Sequence, residues 1–302
     1  MSTMPYSDLS RDEMCKALSE LDQALFHHEQ WCEGLNQTLI CSLSPDQRDT
    51  DLDAHLKCRF GQWLYGAGAS QIANHPSLAE VRSLHEHVHK FARELLLSSE
   101  KQSPILLQDY ERFLAALKQM KLEMLTAKHE LEDAIYNIDP LTGVSSRVGM
   151  LTKLREQQAL VQRKVQSCCV AMLDIDHFKV VNDTYGHSVG DGVLSNLARR
   201  MKRNMRPYDM LFRYGGEEFL ICMPTTGMET CYEALERLRS CVAEEPFEIG
   251  GAPPIHVTIS IGVTMLDPDG SVETTIERAD KALYAAKSSG RNRVIAWDAA
   301  MV

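Results

Sequence analysis

Long apolar runs are missing from this 302-residue sequence. No stretch approaches the roughly 18 consecutive apolar residues that a membrane-spanning helix needs. The segment Met1 to Asp12 is polar and acidic, and it lacks the basic stretch and apolar run of a secretory signal. These two absences predict a protein without a membrane span that works in the cytoplasm.

Glycine and proline are scarce, at 17 and 11 residues, which is too few for a fibrous or low-complexity chain. Positive charge is also in deficit, since the net charge is −10. That balance argues against a surface that coats a nucleic-acid polymer, although a single nucleotide needs only a few local cations. The nine cysteines are an odd number, and in a reducing compartment they indicate core residues or metal ligands rather than a disulfide framework.

The remaining composition is that of a globular protein, with 44% hydrophobic residues and a length that suits two domains. The pattern changes near Asp139-Pro140. Residues 1–137 show helical periodicity and almost no strand signal, which predicts an all-α bundle of the four-helix type. Residues 138–302 alternate strands and helices, which predicts an α+β domain.

Apolar residues repeat at alternating spacings of three and four along the end of the first domain. Such a series predicts a parallel coiled coil between two chains, or a last helix that packs on its own bundle. The dimer is the preferred interpretation. The positions are Tyr110, Phe113, Leu117, Met120, Met124, Ala127, Leu131, Ala134 and Ile138.

Acidic residues follow two of the predicted core strands. One apolar run ends at Asp174, and a predicted hairpin turn, Gly215-Gly216, leads into Glu217 and Glu218. A buried carboxylate is costly unless it is paired or binds a metal, and oxygen ligands suit magnesium. Asp174 and Glu217 therefore form a candidate magnesium site, with glycines that let a ligand approach the backbone. A hairpin with solvated acids is the alternative.

The segment from Asp174 to Asp191, together with Arg213-Tyr-Gly-Gly-Glu-Glu-Phe219, resembles the GGDEF family of diguanylate cyclases. The similarity runs from Asp139-Pro-Leu-Thr-Gly143 to Gly290-Arg-Asn-Arg293, about half of the chain. It implies a central antiparallel sheet covered by helices, of the nucleotidyl-cyclase and polymerase-palm (ferredoxin-like) type. It also implies a homodimer that converts two GTP molecules into cyclic di-GMP and two pyrophosphates.

The same resemblance gives roles to individual residues. It implies two Mg²⁺ ions per active site, held by Asp174, the Ile175 carbonyl and Glu217. Glu217 is also the candidate base, with Glu218 in a supporting or metal-binding role, while Lys179 offsets charge in the transition state. Substrate contacts are implied for the guanine-reading pair and for residues near the hairpin and the phosphates: Asn182, Asp191, His187, Arg213, Gly215, Gly216, Lys287 and Arg291.

A second implied site concerns control by product. Arg206-Pro-Tyr-Asp209 precedes the hairpin and matches the RxxD pattern of the family's inhibitory site. Arginine can hold a phosphate through two hydrogen bonds and can stack on guanine. The resemblance thus implies that cyclic di-GMP binds at Arg206 and Asp209 and inhibits the enzyme.

Histidines concentrate in the first domain, where seven of the eleven precede residue 90. His85 and His89 are four residues apart and share one face of a predicted helix, whereas His87 points roughly the opposite way. Three histidines and one cysteine from separate helices can enclose Zn²⁺ tetrahedrally.

The motifs around these histidines resemble the chemoreceptor zinc-binding (CZB) family over roughly Leu18 to Leu125. They are His28-x-x-Trp31, Cys58-x-x-Gly61-x-Trp63 and His85-x-x-x-His89. The resemblance implies one Zn²⁺ per N-terminal domain, bound by His28, Cys58, His85 and His89.

Helical spacing leaves Cys32, four residues after His28, as a rival zinc ligand, and His27 as a weaker one. The two families in this order resemble a zinc-sensing diguanylate cyclase. We expect zinc to restrain the catalytic domains and inhibit the reaction, and a purely structural zinc is the alternative.

Two other functions stay open at this point. One is a catalytically silent receptor for GTP or cyclic di-GMP, and the other is a zinc or redox sensor that acts through protein contacts. The intact acidic and basic residues favour the enzyme, because a silent relative would be expected to lack them.

Overall fold

The computed structural model describes Tyr6, residues 9–67, Ala69, Ile72 and residues 76–301, apart from the side chain of Ser77. The chain forms two compact units, Met1–Ile135 and Tyr136–Val302. Helices build the first unit, and a six-stranded sheet organises the second. Within the part of the chain that the structure describes, none of the helices contains an apolar stretch that could span a lipid bilayer.

The N-terminal unit is helical throughout its described secondary structure, which confirms the all-α prediction. Its first helix begins with a capping box, in which the Ser10 hydroxyl accepts a hydrogen bond from Glu13 N and the Glu13 carboxylate accepts one from Ser10 N. The helices are α1 (Arg11–Ile40), α2 (Gln47–Thr50), α3 (Ala54–Lys57), α4 (Arg59–Tyr65), α5 (Pro76–Glu100) and α6 (Leu107–Tyr136).

Helix α6 buries much of the predicted apolar series inside its own unit. Hydrogen bonds join it to the N-terminal region of the unit, where the Tyr6 hydroxyl donates to Ala127 O and the Lys128 ammonium donates to Asp22. The buried residues of α6 are Phe113, Met120, Met124, Ala127 and Leu131.

This burial corrects the preferred interpretation of the apolar series. Side chains that are already covered within one chain cannot also line a seam between two chains. For these five positions the interchain coiled coil is wrong, and the alternative, a helix that packs on its own bundle, holds.

The C-terminal unit is built on a sheet with the strand order β1-β3-β4-β2-β5-β6. The four central strands are antiparallel, as expected, whereas the edge strands β1 and β6 pair in parallel with β3 and β5. The strands are β1 (Ser145–Ser146), β2 (Cys168–Ile175), β3 (Met210–Arg213), β4 (Glu218–Pro224), β5 (Ile259–Met265) and β6 (Val294–Ala296).

Helices cover both faces of this sheet. All eight residues of β2 are buried, because a central strand with helices on both sides has no solvent-facing side. Polar side chains begin at the carboxyl end of β2, with Asp174. The helices are α7 (Arg147–Gln162), α8 (Phe178–Tyr185), α9 (His187–Asn204), α10 (Met228–Glu244) and α11 (Val272–Ser288).

Candidate active site and metal centre

Three carboxylates meet at the carboxyl end of β2. Asp174 pairs with Glu218 in the register of β2 and β4, and residues directly opposite each other project to the same face of a sheet. Glu217 precedes β4, within the hairpin from β3. Burial raises the pKa of Glu217, the charges of Asp174 and Glu218 raise it further, and Lys287 opposes them. Mutual repulsion of this kind is relieved by a divalent cation.

Lys287 supplies the positive charge of the cluster in this structure. Its ammonium lies at the end of α11, 2.8 Å from Asp174 Oδ2. Burial raises the pKa of Asp174, Lys287 lowers it, and Glu218 and Asp176 raise it again. The side chain predicted to contact phosphate therefore neutralises a predicted metal ligand here.

Asp176 is a part of the site that the sequence analysis missed. Its carboxylate is 5% exposed and accepts hydrogen bonds from Ser260 Oγ and Thr258 Oγ1, each at 2.6 Å. It also accepts one from Asn292 N at 3.0 Å. Arg291 and Asn292 have φ values of +63° and +43°, so this bond holds a left-handed turn that carries Arg291. The sequence feature that could have indicated Asp176 is that it is a second carboxylate, two residues after Asp174.

Arg213 connects the glycine hairpin to the turn at Asp139. Its guanidinium donates to Gly216 O at 2.7 Å and to both carboxylate oxygens of Asp139 at 3.1 Å. Asp139 also accepts bonds from the Thr142 backbone and hydroxyl. These contacts give Arg213 a positioning role, and its contact with substrate stays a prediction.

Gly215 leaves room for the neighbouring acid, since a Cβ at this position would lie 2.6 Å from Glu218 Oε2. Gly190 does the same on α9, where a Cβ would collide with Asn182 Oδ1. The half-buried Asn182 on α8 can thus lie against α9. Three predicted ligand-contacting side chains of these two helices are exposed, and they are Lys179, His187 and Asp191.

The RxxD residues form a turn between α9 and β3. Arg206 N donates to Asp209 Oδ2 at 2.8 Å, and Asp209 N donates to Arg206 O at 3.0 Å. Burial raises the pKa of Asp209, and the Arg206 charge lowers it. The turn holds Asp209 while Arg206 is exposed.

A separate cluster of three buried histidines lies in the N-terminal unit. His28, His85 and His89 each offer a nitrogen within 4.8 Å of the others. The Cys58 sulfur lies 3.3 Å from His85 Nε2. The structure thus brings together the four residues predicted to bind zinc.

The nitrogens of this cluster are short of hydrogen-bond partners. His28 Nε2, His85 Nδ1 and both ring nitrogens of His89 are buried without one. Burial lowers the pKa of His28 and His89 to about 3 and also lowers that of His85, so all three rings are neutral at pH 7. Neutral imidazoles are the form that binds metal, and three of them with one sulfur fit a tetrahedral Zn²⁺.

Two sulfurs adjoin the cluster. Burial raises the pKa of Cys58 to about 11, while the N–H of Gly61, 3.1 Å from the sulfur, opposes that shift. Cys32 lies 3.7 Å from His28 Nδ1, and burial raises its pKa to about 12. Because a donated N–H favours the thiolate, Cys58 is the better ligand of the two. His27, the weaker rival, lies outside the group of three.

Comparison with known proteins identifies relatives of both units. The family model for the diguanylate cyclase GGDEF domain matches residues 136–293, and that for the chemoreceptor zinc-binding domain matches residues 28–96. The diguanylate cyclase DgcZ of Escherichia coli is 30% identical over 292 residues, which cover 95% of each chain.

Other relatives share the C-terminal unit. Diguanylate cyclase DgcP of Pseudomonas aeruginosa is 41% identical over 156 residues, which are 52% of this chain and 23% of DgcP. The solved coiled coil and GGDEF domain of DgcB from Caulobacter crescentus, in complex with c-di-GMP, is 33% identical with a TM-score of 0.54. That match covers 60% of this chain and 97% of the other.

Proposed function

This chain belongs to the GGDEF family of diguanylate cyclases, and from that membership we propose that two copies join two GTP molecules into cyclic di-GMP. The C-terminal unit is a diguanylate cyclase domain, and GGDEF cyclases use Mg²⁺. The observation that carries the proposal is the carboxylate cluster, in which burial and the charge of Asp174 raise the pKa of Glu217 and the Lys287 ammonium lies 2.8 Å from Asp174 Oδ2.

In the proposed reaction, Asp174, the Ile175 carbonyl and Glu217 would hold two Mg²⁺ ions, with Glu218 in support. Bound there, Mg²⁺ would supply charge neutralisation for the phosphate oxygens and a lower pKa for the attacking 3′-hydroxyl. Glu217 accepts the proton of that hydroxyl as its oxygen bonds to the α-phosphate of the other nucleotide. The bond from the α-phosphate to the leaving oxygen breaks, and pyrophosphate departs.

Basic and polar residues position the nucleotide in this proposal. Lys287 and Arg291 contact phosphate oxygens, Lys179 offsets charge in the transition state, and Asn182 and Asp191 read the guanine edge. Adenine would leave these two side chains without hydrogen-bond partners. A buried donor or acceptor without a hydrogen bond costs roughly 1–3 kcal/mol, so the pair disfavours adenine. His187 completes the contacts to substrate.

The test compares wild type with Glu217→Gln, using Glu229→Gln on the exposed start of α10 as the control. We expect wild type and control to release pyrophosphate only with GTP and Mg²⁺ and to yield cyclic di-GMP by mass spectrometry. Loss of a catalytic base lowers the rate about a hundredfold or more. Wild type that is free of zinc and of bound nucleotide and makes no cyclic di-GMP would contradict the proposal.

The domain division that we propose is a zinc-binding helical bundle with its signalling helix over residues 1–137 and a cyclase over residues 138–302. Zinc, one ion per N-terminal domain, binds at the histidine cluster and Cys58 and inhibits catalysis by restraining the catalytic domains. The unpartnered nitrogens of the buried histidines support this assignment, since a metal would satisfy them.

The same proposal includes a homodimer and inhibition by product. Two GTP-loaded domains must meet, and a stable dimer supplies the high local concentration. Exposed leucines on α6, such as Leu122 at 61% and Leu125 at 55%, supply apolar surface for a second copy. Product binds at Arg206 and Asp209, where an exposed guanidinium adjoins a fixed carboxylate.

A further inference from the structure

We propose that Zn²⁺ reaches its buried site through a side cavity between the α2–α3 segment and α5, with His55 as a transient ligand on the way. This inference rests on the zinc site of the proposed function. It adds a route and a residue that neither the four-ligand set nor the motifs around it include.

The three histidine ligands need a route because they are shielded from solvent, whereas Cys58 is half-buried. His28, His85 and His89 are 2%, 0% and 2% exposed. The Trp31 ring stacks on His89, with 4.1 Å between ring centroids, and its N–H donates to Asp49 at 2.9 Å, which fixes it there. The Phe60 ring lies 4.8 Å from that of His85. Aromatic rings therefore cover the site on these sides.

One cavity does reach a ligand. Its volume is about 220 Å³, and its lining includes Asp51, His55, Glu86, His89 and Glu94. His89 is the buried member of this lining, and both of its ring nitrogens lack a hydrogen-bond partner. A buried imidazole nitrogen without a hydrogen-bond partner can bind a cation that enters this cavity.

The cavity has room for a hydrated cation. Its volume of about 220 Å³ is many times the roughly 10–15 Å³ that one water needs, which leaves room for a divalent ion with water ligands. The water ligands of the cation must then be replaced by protein ligands one at a time. The half-buried imidazole of His55, beside the ligand cluster, can be the first protein ligand.

His55 stands in the right place for that step. Its ring centroid lies 6.4 Å from that of His85, and its carbonyl oxygen accepts a hydrogen bond from the Cys58 thiol. It lines the cavity with His89, but it is outside the group of three histidines. Its imidazole can therefore hold a cation before His85, His89 and Cys58 do.

Charge favours a cation at this cavity. Glu86, His89 and Glu94 line it from the same helix, α5. Asp51 also lines it, so the three carboxylates of the lining outnumber its two cationic side chains, Lys90 and Arg93. Carboxylates at the mouth of a cleft raise the local concentration of cations and the association rate.

The test measures zinc uptake and release by the full-length, zinc-free protein in stopped flow, with a chromophoric chelator as the probe. In His55→Gln we expect both rate constants to fall about tenfold while the dissociation constant changes less than about twofold, because a residue of the route stabilises the transition state for both directions. In Glu94→Gln we expect slower uptake and a weaker salt dependence. The control is His129→Gln, whose side chain is 75% exposed on α6.

The outcomes separate the route from the site. Unchanged rate constants in both variants would overturn the route. Faster release and a weaker dissociation constant in His55→Gln would also overturn it, because they would make His55 a fifth resident ligand. Wild type that binds no zinc at equilibrium would overturn the zinc site itself, and the route with it. Circular dichroism of each variant checks that the helices are intact.

Discussion

At the residue scale, Asp176 supports the candidate active site through hydrogen bonds and does not belong to the predicted ligands. Its two oxygens take three hydrogen bonds, from β5, from the residue before β5 and from the turn after α11. Arg291 stands in that turn, so the position of a predicted phosphate ligand depends on a carboxylate that faces the core. Asp176 is accordingly a positioning residue.

We predict that Asp176→Ala lowers the free energy of unfolding of the cyclase unit by about 2–4 kcal/mol, since it leaves Ser260 Oγ, Thr258 Oγ1 and Asn292 N without their acceptor. The Michaelis constant for GTP should rise as well. Urea denaturation and initial rates measure the two effects. The exposed Asp183→Ala is the control, and an equal effect there would refute the positioning role.

Arg206 allows a second prediction at this scale. Its guanidinium is exposed, and the turn to Asp209 is closed by backbone groups of Arg206. Arg206→Ala should therefore leave the turn and GTP turnover intact while it relieves inhibition by added cyclic di-GMP. Initial rates over a series of product concentrations measure this. Product inhibition equal to that of wild type would refute the assignment.

At the scale of elements, α6 separates two kinds of apolar residue. Met124 is fully buried within the chain, whereas its near neighbour Leu122 is 61% exposed. We predict that Met124→Ala lowers the free energy of unfolding of the N-terminal unit by about 2–5 kcal/mol through the cavity it leaves. Leu122→Glu should change that free energy by less than about 0.5 kcal/mol but weaken the dimer.

Denaturation and sedimentation of the full chain distinguish the two variants. A dimer lost only in Met124→Ala would restore the interchain coiled coil that burial argues against. Dimerisation unaffected by Leu122→Glu would move the proposed contact away from this face of α6.

The link between the Asp139 turn and the hairpin predicts a pH dependence. Burial raises the pKa of Asp139, but bonds from Thr142 and the charge of Arg213 outweigh it, so the pKa is below its ordinary value. A carboxyl group of this kind stabilises the fold above its unfolded pKa, about 3.9. The contribution is lost as the pH falls through the lower, folded value.

Asp139→Asn should therefore lower the melting temperature at pH 7, and the difference from wild type should shrink towards pH 3. Thermal unfolding across this range measures it, with the exposed Asp280→Asn as control. A difference that stays constant with pH would show that the charge of Asp139 contributes nothing.

Much of the second unit follows from its sequence alone. Six of the eight buried residues of β2, Cys168 to Leu173, form an apolar run, and α10 and α11 have clear helical periodicity, so local pattern predicts them. Short elements such as β1, α2 and α3 have too few residues to show a period. Their place is set by contacts with distant parts of the chain.

The candidate metal ligands were predictable because they lie in motifs that resemble two known families, whereas their supports were not. Asp176 binds Ser260, 84 residues away, and Arg213 binds Asp139, 74 residues away. The apolar series on α6 failed for another reason. A spacing of three and four is the same whether the covering helix comes from the same chain or from another.

At the scale of the whole molecule, a metal site in one unit is proposed to control chemistry in the other. We predict that removing zinc with a chelator raises the rate of GTP turnover, and that restoring free zinc lowers it again. Zinc loading should also raise the melting temperature of the N-terminal unit, because a ligand that binds only the folded state stabilises it.

Turnover at buffered free zinc measures the first effect, and calorimetry measures the second. His28→Ala should remove both, since its nitrogen belongs to the cluster, and the exposed His129→Gln should keep both. Zinc that raises the melting temperature without changing the rate would establish a structural role in place of a regulatory one.

The ion pair between Lys287 and Asp174 couples the two ligands of the proposed active site. A divalent ion bound to Asp174 would displace an ammonium held at 2.8 Å, and the freed lysine would then be available to the triphosphate. Cation and nucleotide would therefore favour each other's binding, and a nucleotide without the ion would meet a lysine that is already paired.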